Sequence, residues 1–202
     1  METERALLAD LARDLDGSFE ALVLAHQDRL YSIALRFIGD AEEAEEAAQD
    51  ALVRAYRALA GYDAARIRTM QLRPWLATIV LNLCRNRVTR RRGSPPGTLS
   101  FDLDRPGATL PEPVADPAAS PASVLDRRES ERRWARLVAE LPPVYRAPVV
   151  LRHVDGLSYP EVATVLGRPE GTVKAQVHRG LALLRTAFEA AERREHEEVM
   201  SA

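Results

Sequence analysis

The chain has 202 residues, 46% hydrophobic, 5% aromatic and 29% charged, with a formal net charge of −2 at pH 7. That length holds one large or two small domains, and much Ala, Leu and Arg with few aromatics favours helices. The single cysteine, Cys84, excludes a disulfide framework and a Cys-rich metal site. No apolar run approaches a membrane span and the N-terminus lacks a signal-peptide pattern, so the expectation is a cytoplasmic protein without membrane insertion. Charge distribution says more than the total. Residues 1–63 carry six Arg against fourteen Asp and Glu, a net of −8, whereas residues 64–92 carry eight Arg and no acid, a net of +8. Such segregation points to two surfaces for two different partners.

In chain order, Met1 to Leu15 predicts a short amphipathic helix or a frayed lead-in. Ser18 is a plausible N-cap for a longer helix with Phe19, Leu22, Val23, Leu30, Ile33, Ala34 and Phe37 on its apolar face, stopped by Gly39. Asp40 with Glu43 three residues on forms a capping box for the next helix. There Ala44, Ala47, Ala48, Ala51, Leu52, Ala55, Tyr56 and Leu59 form a buried face of small residues. Glu42, Glu43, Glu45, Glu46, Gln49, Asp50 and Arg54 lie outward. Clustered carboxylates invite a metal or acid–base interpretation, but no His or Cys joins them and His26 lies alone on the preceding helix. A solvated or partner-facing acidic face fits better, with neither a metal nor a cofactor.

Residues 61–73 read as a polar, basic loop. Pro74 suits the first turn of a helix running to about Arg92, with Trp75, Leu76, Ile79, Val80 and Leu83 as its core face. Asn82, Arg85, Asn86, Thr89, Arg90, Arg91 and Arg92 make the remainder polar and basic. Guanidinium groups pair with phosphate and amides can read base edges, so this helix is a candidate nucleic-acid surface. Seven of the thirteen prolines then fall between Gly93 and Leu125. That acidic, extended stretch cannot bury enough surface to order itself and reads as a linker. A helix over 124–140 turns Trp134, Leu137 and Val138 inward, and Pro142-Pro143 opens the next.

Residues 146–185 hold three short apolar-periodic segments separated by Gly156 and Gly167: Val149, Val150 and Val154; Val162, Val165 and Leu166; Val173, Val177, Leu181 and Leu184. Ser158 and Glu161 form a capping box, Gly167 fits a left-handed helix end, and Pro169 helps start the third segment. Ala163 is small enough for two short helices to cross closely. The pattern is a helix-turn-helix, with Thr172 to Arg179 opening the helix that would enter a major groove. Pro148 predicts that the first of these helices kinks or starts late. The fold class is therefore all-α: two small helical domains over 1–92 and 124–187, a flexible linker over 93–123, and an acidic C-terminal tail over 188–202.

Taken together, "DAEEAEEAAQDALVRAYRAL", "RPWLATIVLNLCRNRVTRR" and "LPPVYRAPVVLRHVDGLSYPEVATVLGRPEGTVKAQVHRGLALLR" resemble regions two and four of extracytoplasmic-function (ECF) sigma factors of bacterial RNA polymerase. The resemblance covers nearly everything from Phe19 to Arg185. It implies a non-enzymatic factor that binds core RNA polymerase, directs promoter-specific initiation and aids promoter melting, in response to stress or envelope signals. Glu46, Gln49, Asp50 and Arg54 would then dock on the β′ clamp helices, and the second domain on the β flap. The 61–73 loop, with Arg66 and Arg68, and the helix after it would capture an unstacked base of the minus-ten element. Asn82 would lie on the reading face and Trp75 would pack the loop, while Arg85, Asn86, Arg90, Arg91 and Arg92 reach the DNA. Thr172, Lys174, Ala175, Gln176, His178 and Arg179 would meet the minus-thirty-five element, with Arg152 and Ser158 near its backbone. An anti-sigma factor is an implied partner. The chain departs from the family in carrying Glu46 where Asp is usual, in Pro148, and in its long linker. Two rival classes are a free-standing helix-turn-helix regulator whose N-terminal domain dimerises or senses a ligand, which predicts a self-complementary apolar patch and palindromic sites, and an enzyme using the acidic helix, which requires a nucleophile–base pair or metal set.

Overall fold

The computed structural model describes residues 2–91 and 134–201, and among these every regular element is helical. The 93–123 linker expectation and the start of the 124–140 helix lie outside the described residues. Helix α1 (Glu2–Arg13) buries Leu8 and Leu11 against α2 (Leu15–Ile38) and α4 (Ala64–Thr69). The cap of α2 is Asp14 and not Ser18: the Asp14 carboxylate accepts from the Gly17 N–H at 3.0 Å. A Cβ on Gly17 would lie 2.4 Å from that carboxylate, so the glycine is what lets the aspartate reach in. Gly39 ends α2 at φ +81°, a left-handed conformation that suits glycine.

Asp40 caps α3 (Ala41–Leu59) by accepting from the Glu43 N–H at 2.9 Å. Ala44, Ala47, Ala48, Ala51 and Ala55 are buried, so α3 lies close against α2 and α5 (Leu72–Arg91). Tyr56 departs from the expected buried face. It is 37% exposed, because its hydroxyl reaches the Asp16 carboxylate at 2.6 Å and its ring meets Phe19 edge-on. The 61–73 stretch is not a loop throughout. Asp63 accepts from the Arg66 N–H at 2.7 Å and caps α4, whose Ile67 is buried. Helix α5 buries Trp75, Leu76, Ile79, Val80 and Leu83 as expected, and also Ala77, Leu81 and Cys84. An amphipathic helix packed on one neighbour would leave some of these in water. Helix α5 is covered on further sides because it contacts α2, α3 and a helix of the second half.

In the second half, residues 134–140 (α6) are helical with Ala135 and Val138 buried. Trp134 is 42% exposed instead of inward, stacked on Phe188 with centroids 5.2 Å apart. Helix α7 (Pro143–Val149) starts directly after Pro142 and carries Pro148 in its interior. It does not start late. Lacking an N–H at Pro148, the ladder widens into a π-helical segment, Val150–Val154, closed by the Asp155 N–H on the Val150 carbonyl at 3.0 Å. Helix α8 (Tyr159–Leu166) and helix α9 (Glu170–Ser201) complete the helix-turn-helix, with Gly167 between them at φ +61°. The acidic stretch expected as a tail is helical to Ser201, as its composition favours, and continues α9 directly. Helix α7 lies close against α9 at Gly180, where a Cβ would lie 2.6 Å from Val149 Cγ2. The halves touch where α5 meets α8 and α2 meets the π segment.

Candidate nucleic-acid interface

The opening turns of α9 are fixed from behind. Val173 and Val177, four residues apart, are fully buried against the second-half core, which turns Thr172, Lys174, Ala175, His178 and Arg179 to solvent. Gln176 is half-buried, its Oε1 accepting from Arg168 Nη1 at 3.0 Å. Arg168 was not among the expected contacts; its place in the turn before α9 is the signal for it. Lys174 Nζ pairs with Glu170 at 2.7 Å, one helical turn back, and that bond holds its pKa above the usual lysine value.

The backbone-facing candidates sit beside this helix. Arg152 donates to the Leu157 carbonyl at 3.2 Å and lies 5.1 Å over the Tyr159 ring. The Ser158 hydroxyl accepts from the Glu161 N–H at 3.4 Å, while Glu161 Oε2 accepts from the Ser158 N–H at 2.6 Å. This reciprocal pair is the capping box, so Ser158 is engaged in starting α8.

In the first half, Arg66 stacks 3.7 Å from the Tyr62 ring centroid, and Arg68 is exposed. Trp75 is buried at 8% exposure, tilted against Tyr62 at 6.1 Å, and so packs this corner. Asn82 and Arg85 are half-buried on α5, whereas Asn86 and Arg90 are exposed, and Arg91 closes the helix. Burial lowers the Arg85 pKa, and the neighbouring charge of Arg168 lowers it further.

Glu46, Gln49, Asp50 and Arg54 line the outward face of α3. Gln49 donates to Glu45 at 3.3 Å. Arg87, which the sequence did not single out, bridges α5 to this face, reaching Glu46 at 2.7 Å and Asp50 at 2.8 Å. Its pKa is raised, chiefly by the bond to Glu46. Glu46, Asp50, Arg54, Asn86, Arg87 and Arg90 thus share one open cleft of about 320 Å³. The structure therefore places the acidic candidates of α3 beside part of the basic helix. Asn82 and Arg85 are apart from that cleft, and the α9 row belongs to the other half.

Comparison with known proteins bears on the family. Residues 22–94 match the family model for sigma-70 region 2, and residues 131–184 the model for sigma-70 region 4. The RNA polymerase sigma-H factor of Pseudomonas aeruginosa is 31% identical over 180 residues, covering 88% of this chain and 90% of that protein. The ECF RNA polymerase sigma factor SigW of Bacillus subtilis is 30% identical over 169 residues, covering 83% of this chain and 87% of its own. A solved structure of CnrH in complex with the cytosolic domain of CnrY superposes with a TM-score of 0.65 at 25% identity, covering 93% of this chain and 97% of that one. The region 2 and region 4 matches, with these full-length relatives, show that the chain belongs to the ECF subfamily of the sigma-70 family of RNA polymerase sigma factors.

Proposed function

We propose that this initiation factor divides its work among three faces. Glu46, Gln49, Asp50 and Arg54 on α3 dock on the β′ clamp helices of core polymerase. The α4–α5 corner, with Arg66, Arg68, Asn82, Arg85, Asn86, Arg90 and Arg91, takes the minus-ten element. The α9 row, Thr172 to Arg179, reads the minus-thirty-five element, with Arg152 and Ser158 toward its phosphates and the second domain on the β flap. As an ECF sigma factor the protein directs promoter-specific initiation. One observation carries the assignment of α9: Val173 and Val177 are buried to 0% while Thr172, Lys174, Ala175, His178 and Arg179 are exposed, so the helix presents a largely polar row outward. Gln suits adenine, and Lys or Arg suits guanine or phosphate. A protein inhibitor of the anti-sigma kind fits as a further partner, since a solved relative is complexed with the cytosolic domain of another protein. The protein acts inside the cell, where polymerase and promoter are found. No helix among the described residues is long and apolar enough to cross a membrane.

The test is addition of the purified chain to core polymerase, with the transcripts it starts then sequenced. Defined start sites sharing minus-ten and minus-thirty-five elements are expected. Tight, sequence-specific binding to palindromes as a lone dimer would replace this proposal with the free-standing regulator. Within the same assay, Asn82→Ala is expected to change preference in the minus-ten element and leave core affinity intact. Failed holoenzyme assembly would instead make Asn82 a structural residue.

A further inference from the structure

The cleft between α3 and α5 contains a cation that none of the proposed contacts uses. Glu46, Asp50 and Arg54 follow one another at four-residue spacing on α3, and Asn86, Arg87 and Arg90 share the facing side of α5. Arg87 is held at both ends of its fork, by Glu46 at 2.7 Å and by Asp50 at 2.8 Å. Its side chain is largely enclosed, whereas both carboxylates are more than half exposed. The groups proposed to dock on core polymerase are therefore open to an incoming partner, yet already occupied from within. Arg87 also sits beside Asn86 and close to Arg90 on the same helix, the two side chains of this cleft assigned to the minus-ten element.

We propose that Arg87 is an exchange residue: it occupies Glu46 and Asp50 in the free protein and passes to a promoter phosphate when core polymerase takes those carboxylates. The inference rests on the proposed docking of α3 and on the minus-ten assignment of α5. A polymerase cation approaching Glu46 and Asp50 meets the positive charge of Arg87 on the same oxygens, and the repulsion favours its departure. Leaving costs little, because ion pairs with exposed partners are weak. Once the carboxylates are taken, the cleft keeps three guanidiniums, Arg54, Arg87 and Arg90, and needs an anion. A phosphate offers paired anionic oxygens that a guanidinium fork can grip. Arg87 thus competes with polymerase for α3 and holds DNA in the assembled complex. By linkage, core and promoter binding then strengthen each other through this one side chain.

The test uses the labelled full chain, as wild type, Arg87→Gln and Arg87→Lys. Fluorescence anisotropy gives the affinity of each for core polymerase without DNA. The affinity of each holoenzyme for a promoter identified by transcript sequencing is then measured across a salt series. At unchanged helical content, Arg87→Gln is expected to bind core about two- to tenfold more tightly, since two exposed pairs no longer have to break. Its holoenzyme should bind promoter with a log–log salt slope shallower by about 0.7–0.9, the loss of one phosphate contact. Arg87→Lys keeps a positive charge and should restore that slope. Unchanged or weaker core binding by Arg87→Gln would overturn the inference, because Arg87 would then not compete with polymerase for α3. An unchanged salt slope would overturn it too, since no phosphate contact would have been lost. The double variant Glu46→Gln with Asp50→Asn separates this inference from the reading it rests on. Wild-type core affinity of that variant would remove the docking of α3 and the exchange with it. Weakened core affinity there, alongside an Arg87→Gln that behaves as wild type, would overturn the exchange alone.

Discussion

Replacing Ser158 by alanine and by aspartate separates a helix cap from a phosphate contact at one position. The Ser158 hydroxyl accepts from the Glu161 N–H, and the Glu161 carboxylate returns the bond to the Ser158 N–H. Alanine leaves one N–H of the first turn without its acceptor, a loss of about 1 kcal/mol. For a chain of this size that lowers the melting temperature by about 2–4 °C. Aspartate keeps an acceptor of equal rank, and Asp40 with Glu43 shows this chain using that combination at α3. Ser158→Asp is therefore expected to melt within a degree or so of the wild type. In transcription the order reverses. Under the proposed phosphate contact, a carboxylate at this position repels phosphate, so Ser158→Asp should initiate less than Ser158→Ala from the same promoter with saturating core polymerase. Calorimetry and run-off transcription on the same preparations measure both. Wild-type initiation by Ser158→Asp would refute the phosphate contact. Equal melting of Ser158→Ala and wild type would refute the capping argument.

Three further outcomes are expected. Burial, with Arg29 and Arg73 adding to it, lowers the His26 pKa from 6.5 to about 4. The unfolded chain therefore takes up this proton first, and the stability is fully present above pH 6.5 and lost as pH falls toward 4. The loss is up to about 3 kcal/mol, and urea unfolding at pH 7 and 5 should show His26→Leu lacking that part of it. Cys84 is 0% exposed and its thiol is pushed up to about 12, so it should resist alkylation in the native protein and react once urea unfolds it. Lys174→Ala should reduce initiation from a cognate promoter far more than Glu170→Ala, which only frees the Lys174 ammonium from its ion pair. Equal loss from the two variants would mean that Lys174 does not meet DNA.

Periodicity and cap chemistry made the helix-turn-helix legible because both are local. Val173 and Val177 lie four apart and are both buried, Ser158 and Glu161 lie three apart and bond reciprocally, and Gly167 adopts the left-handed conformation. The misses have non-local or competing causes. Ser18 is a sound cap residue, but Asp14 binds first because Gly17 leaves room for its carboxylate. The 61–73 stretch has loop composition, yet Asp63 supplies a cap and Ile67 an anchor for α4. Tyr56 and Trp134 look like core residues by type. Their positions were set by Asp16 and Phe188, forty and more than fifty residues away in sequence.

The arginines show why the charge pattern was only half legible. Counting eight Arg and no acid over 64–92 treats each guanidinium as facing water. Folding distributes them differently: Arg73 reaches across the chain to the Asp155 carbonyl, Arg85 is half-buried near Arg168, and Arg87 turns to Glu46 and Asp50. The net charges of −8 and +8 are real, but part of each is spent on the other at the α3–α5 cleft. Any cation of core polymerase that takes Glu46 or Asp50 under the proposed docking must displace Arg87. Those carboxylates are 62% and 55% exposed, so water already screens the pair and such an exchange is cheap. The side chains of Arg29 in α2 and Asp155 after the π segment, ion-paired and 17% and 0% exposed, have no such screening. The same two side-chain types therefore form an easily exchanged contact on one face and a buried tie between the halves on the other, and burial, which the sequence does not state, makes the difference.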